Sequence, residues 1–214
     1  MTRILRAEPC TYEPTRLVEV ASGSAVASVS TVNLASLTTP SMPECGSWVC
    51  WSGWLGESDP QRGWYERVPG QWLGSSQDAW TRVESVLDRA GGAVLRPHAR
   101  HLVSDGPTCL NWLRGRPDRK LLLDPVAMLE PEMLEAGDDH IERVLEMVGP
   151  LAWGVVVCDV QVREEPARSA WCVPAPAGKG RLDMQRFVEN VRTYVGDQAM
   201  LVGLCDADVA LLSR

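Results

Sequence analysis

The sequence predicts an α/β fold: a barrel of parallel β/α units, shortened or incomplete in its N-terminal half. Three observations predict it. From residue 75 onward, short apolar runs alternate with segments of helical periodicity, helix then strand, four times over. Strands that are apolar throughout are those buried on both faces of a parallel sheet. Several of these runs stop at a charged residue or a proline, at Arg96-Pro97, Asp124-Pro125 and Asp159, and strand ends of that kind are where functional loops converge. Finally, the 214 residues supply about six strands, where a closed eight-fold barrel typically takes about 250 residues.

The elements follow in order. Residues 1–20 show little periodicity, broken by Glu8, Pro9, Pro14 and Glu19. Residues 25–32 alternate with period two and carry β-branched side chains, which predicts a strand. Residues 38–43, with prolines at 40 and 43, predict a loop, and residues 46–51 a second strand. A Gly-, Pro- and Trp-rich stretch fills 53–76, longer than an ordinary connection. Residues 75–90 form a helix: Ser75 and Asp78 have capping-box spacing, Trp80, Val83, Leu87 and Ala90 share a face, and Gly91-Gly92 ends it. A strand at 93–98 stops at Pro97-His98, and a short helix at 104–113 carries Pro107 in its first turn. Leu121-Leu122-Leu123 centres the strand 120–124, and Pro131 opens a helix to about 148, with Ile141, Val144, Leu145 and Val148 on its buried face. A strand at 153–160, a Pro/Ala/Gly-rich loop at 161–181, a helix at 184–194, a strand at 200–205 and a helical turn at 209–212 complete the chain. All of this reads as one domain over 1–214, irregular over 1–74 and regular over 75–214.

Composition narrows the function classes. A net charge of −7 argues against a nucleic-acid partner, which clustered Lys and Arg would mark. No apolar run of about 18 residues predicts a membrane span, and no apolar stretch behind Arg3 and Arg6 predicts a signal peptide. Seven scattered cysteines without a C-x-x-C pair predict reduced thiols, hence a cytoplasmic protein.

Four stretches carry a family resemblance: Leu95-Arg96-Pro97-His98, Leu121-Leu122-Leu123-Asp124-Pro125, Val155-Val156-Val157-Cys158-Asp159-Val160 and Gly178-Lys179-Gly180-Arg181-Leu182-Asp183. In order and spacing, residues 93–205 resemble the xylose isomerase-like TIM-barrel superfamily, which includes sugar phosphate isomerases/epimerases and endonuclease IV-like proteins. The resemblance implies a TIM-type barrel. It also implies a divalent metal held by Glu, Asp, His and Glu at successive strand ends. Here those positions fall on Arg96, Asp124, near Val156 and near Gly203, and the family's Lys falls near Cys158. One carboxylate beside an arginine does not assemble such a site, so the expectation is a metal-independent barrel without a cofactor.

Candidate residues follow, each with two readings. Asp124 transfers a proton on a bound substrate, or caps the turn before Pro125; Asp159 has the same two readings. His98 and His101 act near neutral pH if they face the mouth, and otherwise are structural or surface residues; strand alternation lets at most one of them point in. Arg96 and Arg100 hold a phosphate or carboxylate, with Arg96 supplying the charge a metal otherwise gives, or Arg96 pairs with Asp124 or Asp159. Six tryptophans, at 48, 51, 54, 64, 72 and 80, fall within one stretch. Trp51 and Trp54 stack a ring-shaped ligand at the mouth, or the group packs the barrel, or it covers an edge through another subunit. Two functions follow. One is an isomerase/epimerase-like enzyme acting on a small polar or anionic metabolite by proton transfer, through Asp124, His98 and Asp159, with Arg96, Arg100, His101, Trp51 and Trp54 binding. The other is a non-catalytic binding or assembly subunit, a homo-oligomer or a partner protein's companion through the Trp-rich region.

Overall fold

The N-terminal stretch that lacks obvious periodicity forms two strands. In a computed structural model, which describes residues 2–9, 14–30, 34–35, 47–53, 76–89, 92–114, 116–164 and 170–214, strand β1 spans Ile4–Glu8 and β2 spans Arg16–Glu19. In β1 the side chains of Leu5 and Ala7 are fully buried while their neighbours are part-exposed, the alternation of a half-buried strand. The two strands pair antiparallel, Leu5 opposite Glu19 and Glu8 opposite Arg16. Charge pairs lace the seam: Arg3 Nε donates to Glu19 at 2.5 Å, and Glu8 receives Arg6 at 2.7 Å and Arg16 at 2.8 Å.

Strands β3 (Ala25–Ser30), β4 (Trp48–Trp51), β5 (Ala93–Arg96), β6 (Lys120–Leu123), β7 (Gly154–Val157) and β10 (Met200–Gly203) complete a closed barrel in the order β1-β10-β7-β6-β5-β4-β3-β2. All of these run parallel to β1, with β2 alone antiparallel. This is a TIM-type α/β barrel with eight strands. The expected incompleteness is corrected: β1 pairs with β10 on one side and β2 on the other, which closes the ring. The expected shortening takes a specific form, because a β1-β2-β3 meander stands where two β/α units would otherwise be.

The regular half follows its sequence pattern. Helix α1 covers Ser76–Arg89, α2 Gly106–Leu113, α3 Gly137–Val148, α4 Met184–Tyr194 and α5 Asp206–Leu212. Asp105 caps α2 by accepting from the Thr108 N–H at 2.8 Å, and Asp183 caps α4 by accepting from Gln185 and Arg186. The buried stripe of α3 includes Ile141, Leu145 and Val148. A 3₁₀ turn over Pro131–Ala136 precedes α3, where the sequence predicts helix from Pro131.

Two expectations change in the C-terminal half. The predicted strand 153–160 divides at Cys158 into β7 and a separate strand β8 (Asp159–Arg163). The predicted loop 161–181 contains strand β9 (Trp171–Ala175), antiparallel to β8 in its own two-stranded sheet. Pro174 disguised it, but a proline is tolerated in a strand with a free edge. The predicted loop 38–43 and residues 54–75 lie outside the described residues, so Trp54, Trp64 and Trp72 do too. No helix among the described residues is long and apolar enough to cross a membrane.

Candidate functional site at the barrel mouth

Arg96 is the last residue of β5, Trp51 the last of β4, and the two are register partners. Asp124 follows β6 directly. These neighbouring strand ends bring the three side chains together at the C-terminal mouth. Arg96 donates to Asp124 Oδ2 from Nε at 2.8 Å and from Nη2 at 2.5 Å, while Asp124 Oδ1 accepts the Ala127 N–H at 3.1 Å. The guanidinium also lies over the Trp51 ring, 4.3 Å from its centroid. Arg96 is 2% exposed and Asp124 0%. Two readings made separately from the sequence are thus both met by one residue: Asp124 pairs with Arg96 and caps the turn after Pro125.

The chain beyond Arg96 forms a turn in place of the predicted end of the strand, so the strand alternation behind the expectation of one inward histidine does not apply there. In a turn, residues three apart meet. His98 and His101 stack with ring centroids 4.6 Å apart and planes at 29°. Trp51 meets both edge-on at 5.4 Å. Both histidines are buried. The turn is stitched to its neighbours on each side: His98 N–H to Val103 O and Ala99 N–H to Ala127 O, Leu102 N–H to Gly53 O, and Val103 N–H to the Ser52 hydroxyl. The Arg100 N–H donates to His98 Nδ1 at 3.0 Å. A ring nitrogen that accepts carries no proton, so His98 holds its proton on Nε2.

Arg100 grips Glu130, Nε at 3.1 Å and Nη2 at 2.9 Å from Oε2, and Nη2 also donates to the Ala170 carbonyl at 2.8 Å. Glu130 was not singled out from sequence, nor was Asp208. The signal for Glu130 is its place just before Pro131, in the loop after β6; for Asp208, its place in the first turn after β10.

Asp159 is apart from this cluster in role. Its Oδ1 accepts from Val160 at 2.8 Å and Leu182 at 3.0 Å, and Oδ2 from Gly180 at 2.7 Å. The carboxylate is spent on folding the 178–183 loop against β8. Asp208 does the same nearby, accepting from Ala177, Leu204 and Cys205; burial is the main cause that raises its pKa above the ordinary aspartate value. Cys158, beside Asp124, is fully buried, and burial first, then the Asp124 charge, pushes its thiol well up. With the mouth closed it is a protonated thiol that packs as a small buried hydrophobe.

No protein-family model matches the sequence, and comparison with curated proteins finds no match. Among solved structures, the chain is similar to a xylose isomerase-like TIM barrel protein from Mycobacterium smegmatis, determined in complex with magnesium. The TM-score is 0.49 and the identity 11%, over 78% of this chain and 60% of that one. The chain therefore spans under two thirds of that protein's length.

The described residues at the mouth do not assemble the ligand set of a divalent ion. Asp124 has one oxygen on a guanidinium and the other on a backbone N–H. At position 203, where the resemblance expects a glutamate, a Cβ would stand 2.8 Å from the Val209 nitrogen and Cγ2. Helix α5 packs straight onto that strand end, which leaves no space for a side chain. Among the described residues, no three His, Cys, Asp or Glu side chains are grouped to hold a metal.

Proposed function

We propose that this barrel acts without a metal on a small polar or anionic metabolite, by proton transfer at its C-terminal mouth, in the manner of the sugar isomerases and epimerases it resembles in sequence. One observation carries the reading. Trp51, Arg96, His98, Arg100, His101 and Asp124 are gathered from adjacent strand ends and are all at most 7% exposed. Burying charged and titratable groups is costly, and a cluster of them at the mouth of an α/β barrel is characteristic of a ligand site.

Roles follow from the geometry. Asp124 is a positioning residue: it aims Arg96, whose Nη1 takes an oxygen of the ligand. His98, with its proton on Nε2, is the acid that protonates a carbonyl oxygen. His101, stacked on it, receives the proton from the adjacent carbon to give an enediol; His98 then takes the proton of the other enediol hydroxyl while His101 delivers its proton to the former carbonyl carbon, which yields the isomer. Trp51 walls the ligand and shields Arg96 from water. Asp159, occupied by three backbone N–H groups, has no catalytic part.

A second reading, a non-catalytic binding or assembly subunit, is favoured by a different observation: Trp51 and the Arg96–Asp124 pair fill the strand ends they occupy. One experiment separates the two. A panel of aldose and ketose phosphates is incubated with the protein in D₂O after chelator treatment, and deuterium entry beside the carbonyl is followed by ¹H NMR. Proton transfer predicts wash-in that survives the chelator and falls about 10²- to 10⁴-fold in His98→Asn. No wash-in and no thermal shift with any member of the panel supports the subunit, as does a concentration-dependent oligomer in sedimentation velocity.

A further inference from the structure

The β8–β9 hairpin belongs to no barrel sheet. It leaves β7 at the mouth, forms its own two-stranded sheet, and returns to α4. A lone hairpin is marginally stable in water, so its position is set by what it is tied to. Its base is tied densely through backbone. Asp159 binds Val160, Gly180 and Leu182, the Arg181 N–H donates to Val160 O at 3.0 Å, and Gln161 Nε2 donates to Lys179 O at 2.6 Å. Gly180 is indispensable to this base, since a Cβ there would lie 2.3 Å from Asp159 Oδ1 and Val160 O.

The far end is held differently. There Arg163 lies over the Trp171 ring at 5.7 Å, and the carbonyl of Ala170 receives Arg100 Nη2. Arg100 comes from the turn after β5 and Glu130 from the loop after β6, so this side chain spans from the hairpin to two other strand ends. Trp171 is 2% exposed. The Cys172 thiol beside it is pushed up to about 12, by burial first and then by the nearby Glu130 charge. Arg100 is also the residue whose N–H fixes the His98 tautomer. The side chain that holds the hairpin and the backbone that sets the site's proton are the same residue.

We infer that the β8–β9 hairpin is a flap over the barrel mouth, hinged at the Asp159 clamp and latched by Arg100, which must release the Ala170 carbonyl before a ligand reaches the histidine pair. Its role as a gate rests on the function proposed above; the opening itself does not.

Hydrogen–deuterium exchange of the intact, ligand-free chain tests the opening. The expected result is that backbone amides of 161–163 and 171–173 exchange together, in an opening that leaves the Asp159 clamp, β6 and β7 protected. Arg100→Lys keeps a charge for Glu130 but loses the forked donor. It should accelerate hairpin exchange about 10- to 100-fold, as expected for loss of a charge-assisted hydrogen bond, with β6 and β7 unchanged. Hairpin amides that exchange only in step with β6 and β7, in both proteins, overturn the flap. Should the variant not fold, the wild-type chain gives a second measurement. Cys158, buried where the hairpin leaves the mouth, should be modified by a thiol reagent faster than Cys109, equally buried on α2; equal rates overturn the flap. The outcomes stay separate from those of the NMR experiment. A hairpin that opens in a protein showing no wash-in leaves the flap standing without its substrate, whereas wash-in with a hairpin locked to the core removes the flap and keeps the chemistry.

Discussion

Removing either member of the Arg96–Asp124 pair should destabilise the barrel far more than removing both. Arg96→Met leaves a carboxylate that is 0% exposed with one backbone N–H at 3.1 Å as its remaining partner from this network. Asp124→Leu leaves a guanidinium, 2% exposed, facing aliphatic carbon and the Trp51 ring. Breaking a buried pair in this way costs about 3–5 kcal/mol, because the surviving charge is uncompensated. For a chain of this size each kcal/mol corresponds to roughly 2–4 °C in Tm, so each single variant should melt about 6–20 °C lower. The double variant Arg96→Met/Asp124→Leu removes both charges and fills similar volume, and replacing a buried pair with apolar groups is often neutral or stabilising by about 1–4 kcal/mol. It forfeits the Ala127 cap, about 1 kcal/mol, so it should lie between about 1 kcal/mol below and about 3 kcal/mol above wild type. Urea unfolding of the four proteins, with m-values checked for constancy, gives the cycle. Single variants that each cost under about 1 kcal/mol and add within about 0.5 kcal/mol would refute the pair as a desolvated unit.

Two further predictions concern the frame. Gly203→Ala places a Cβ 2.8 Å from the Val209 nitrogen, which is backbone and cannot swing aside; a loss of about 1–3 kcal/mol is expected, with exchange of α5 amides rising first, and an unchanged melting curve would count against the packing described. The β1–β2 seam should respond to acid. Hydrogen bonds from Arg6 and Arg16 hold the Glu8 carboxyl below its ordinary value, and those from Ser22 and Arg3 do the same for Glu19. A lowered folded pKa contributes stability that is present above the unfolded value, about 4.3, and is lost as pH falls through the folded one. Stability should therefore decline below about pH 4.3, and Glu8→Gln should flatten that decline while lowering stability at pH 7 slightly; an identical acid limb in the variant would remove Glu8 from the account.

The β/α half of the barrel was legible because its signals are local. Leu121-Leu122-Leu123 and Val155-Val156-Val157 read as doubly buried strands, and the apolar stripe of α3 stands in the sequence. The meander that closes the barrel was not legible: β1 and β2 are short, carry charge on their outer faces, and pair through a backbone register flanked by the Arg3–Glu19 and Arg16–Glu8 ion pairs, which no window of periodicity registers. At the mouth, the sequence named Arg96, His98, Arg100, His101, Asp124 and Trp51, and the fold brings these together. It could not assign Asp159, because Asp159 at a strand end looks like Asp124; only the loop 178–183 folding back onto its oxygens separates them. The stacking of the two histidines was not legible because strand alternation does not extend beyond Arg96, where the chain has already turned.

The Arg96–Asp124 pair also weighs on what the mouth is for. If such a pair existed for stability alone, apolar side chains of the same volume would serve as well or better, and the neighbouring strand ends supply ample apolar surroundings in Leu95, Leu121, Leu123 and Val157. Rigidity alone is already provided by the stitching of the 98–103 turn to Gly53, Ser52 and Ala127. What the pair adds is a fixed cation, aimed by a carboxylate and backed by an indole, beside two stacked imidazoles. Under the proposed function, an incoming anion would be met by Arg96 and Arg100 while Asp124 and Glu130 keep both in place. On this view Asp124 matters to chemistry without carrying a proton. That is why a stable double variant lacking both charges is the more informative protein: it separates the demands of folding from those of the ligand.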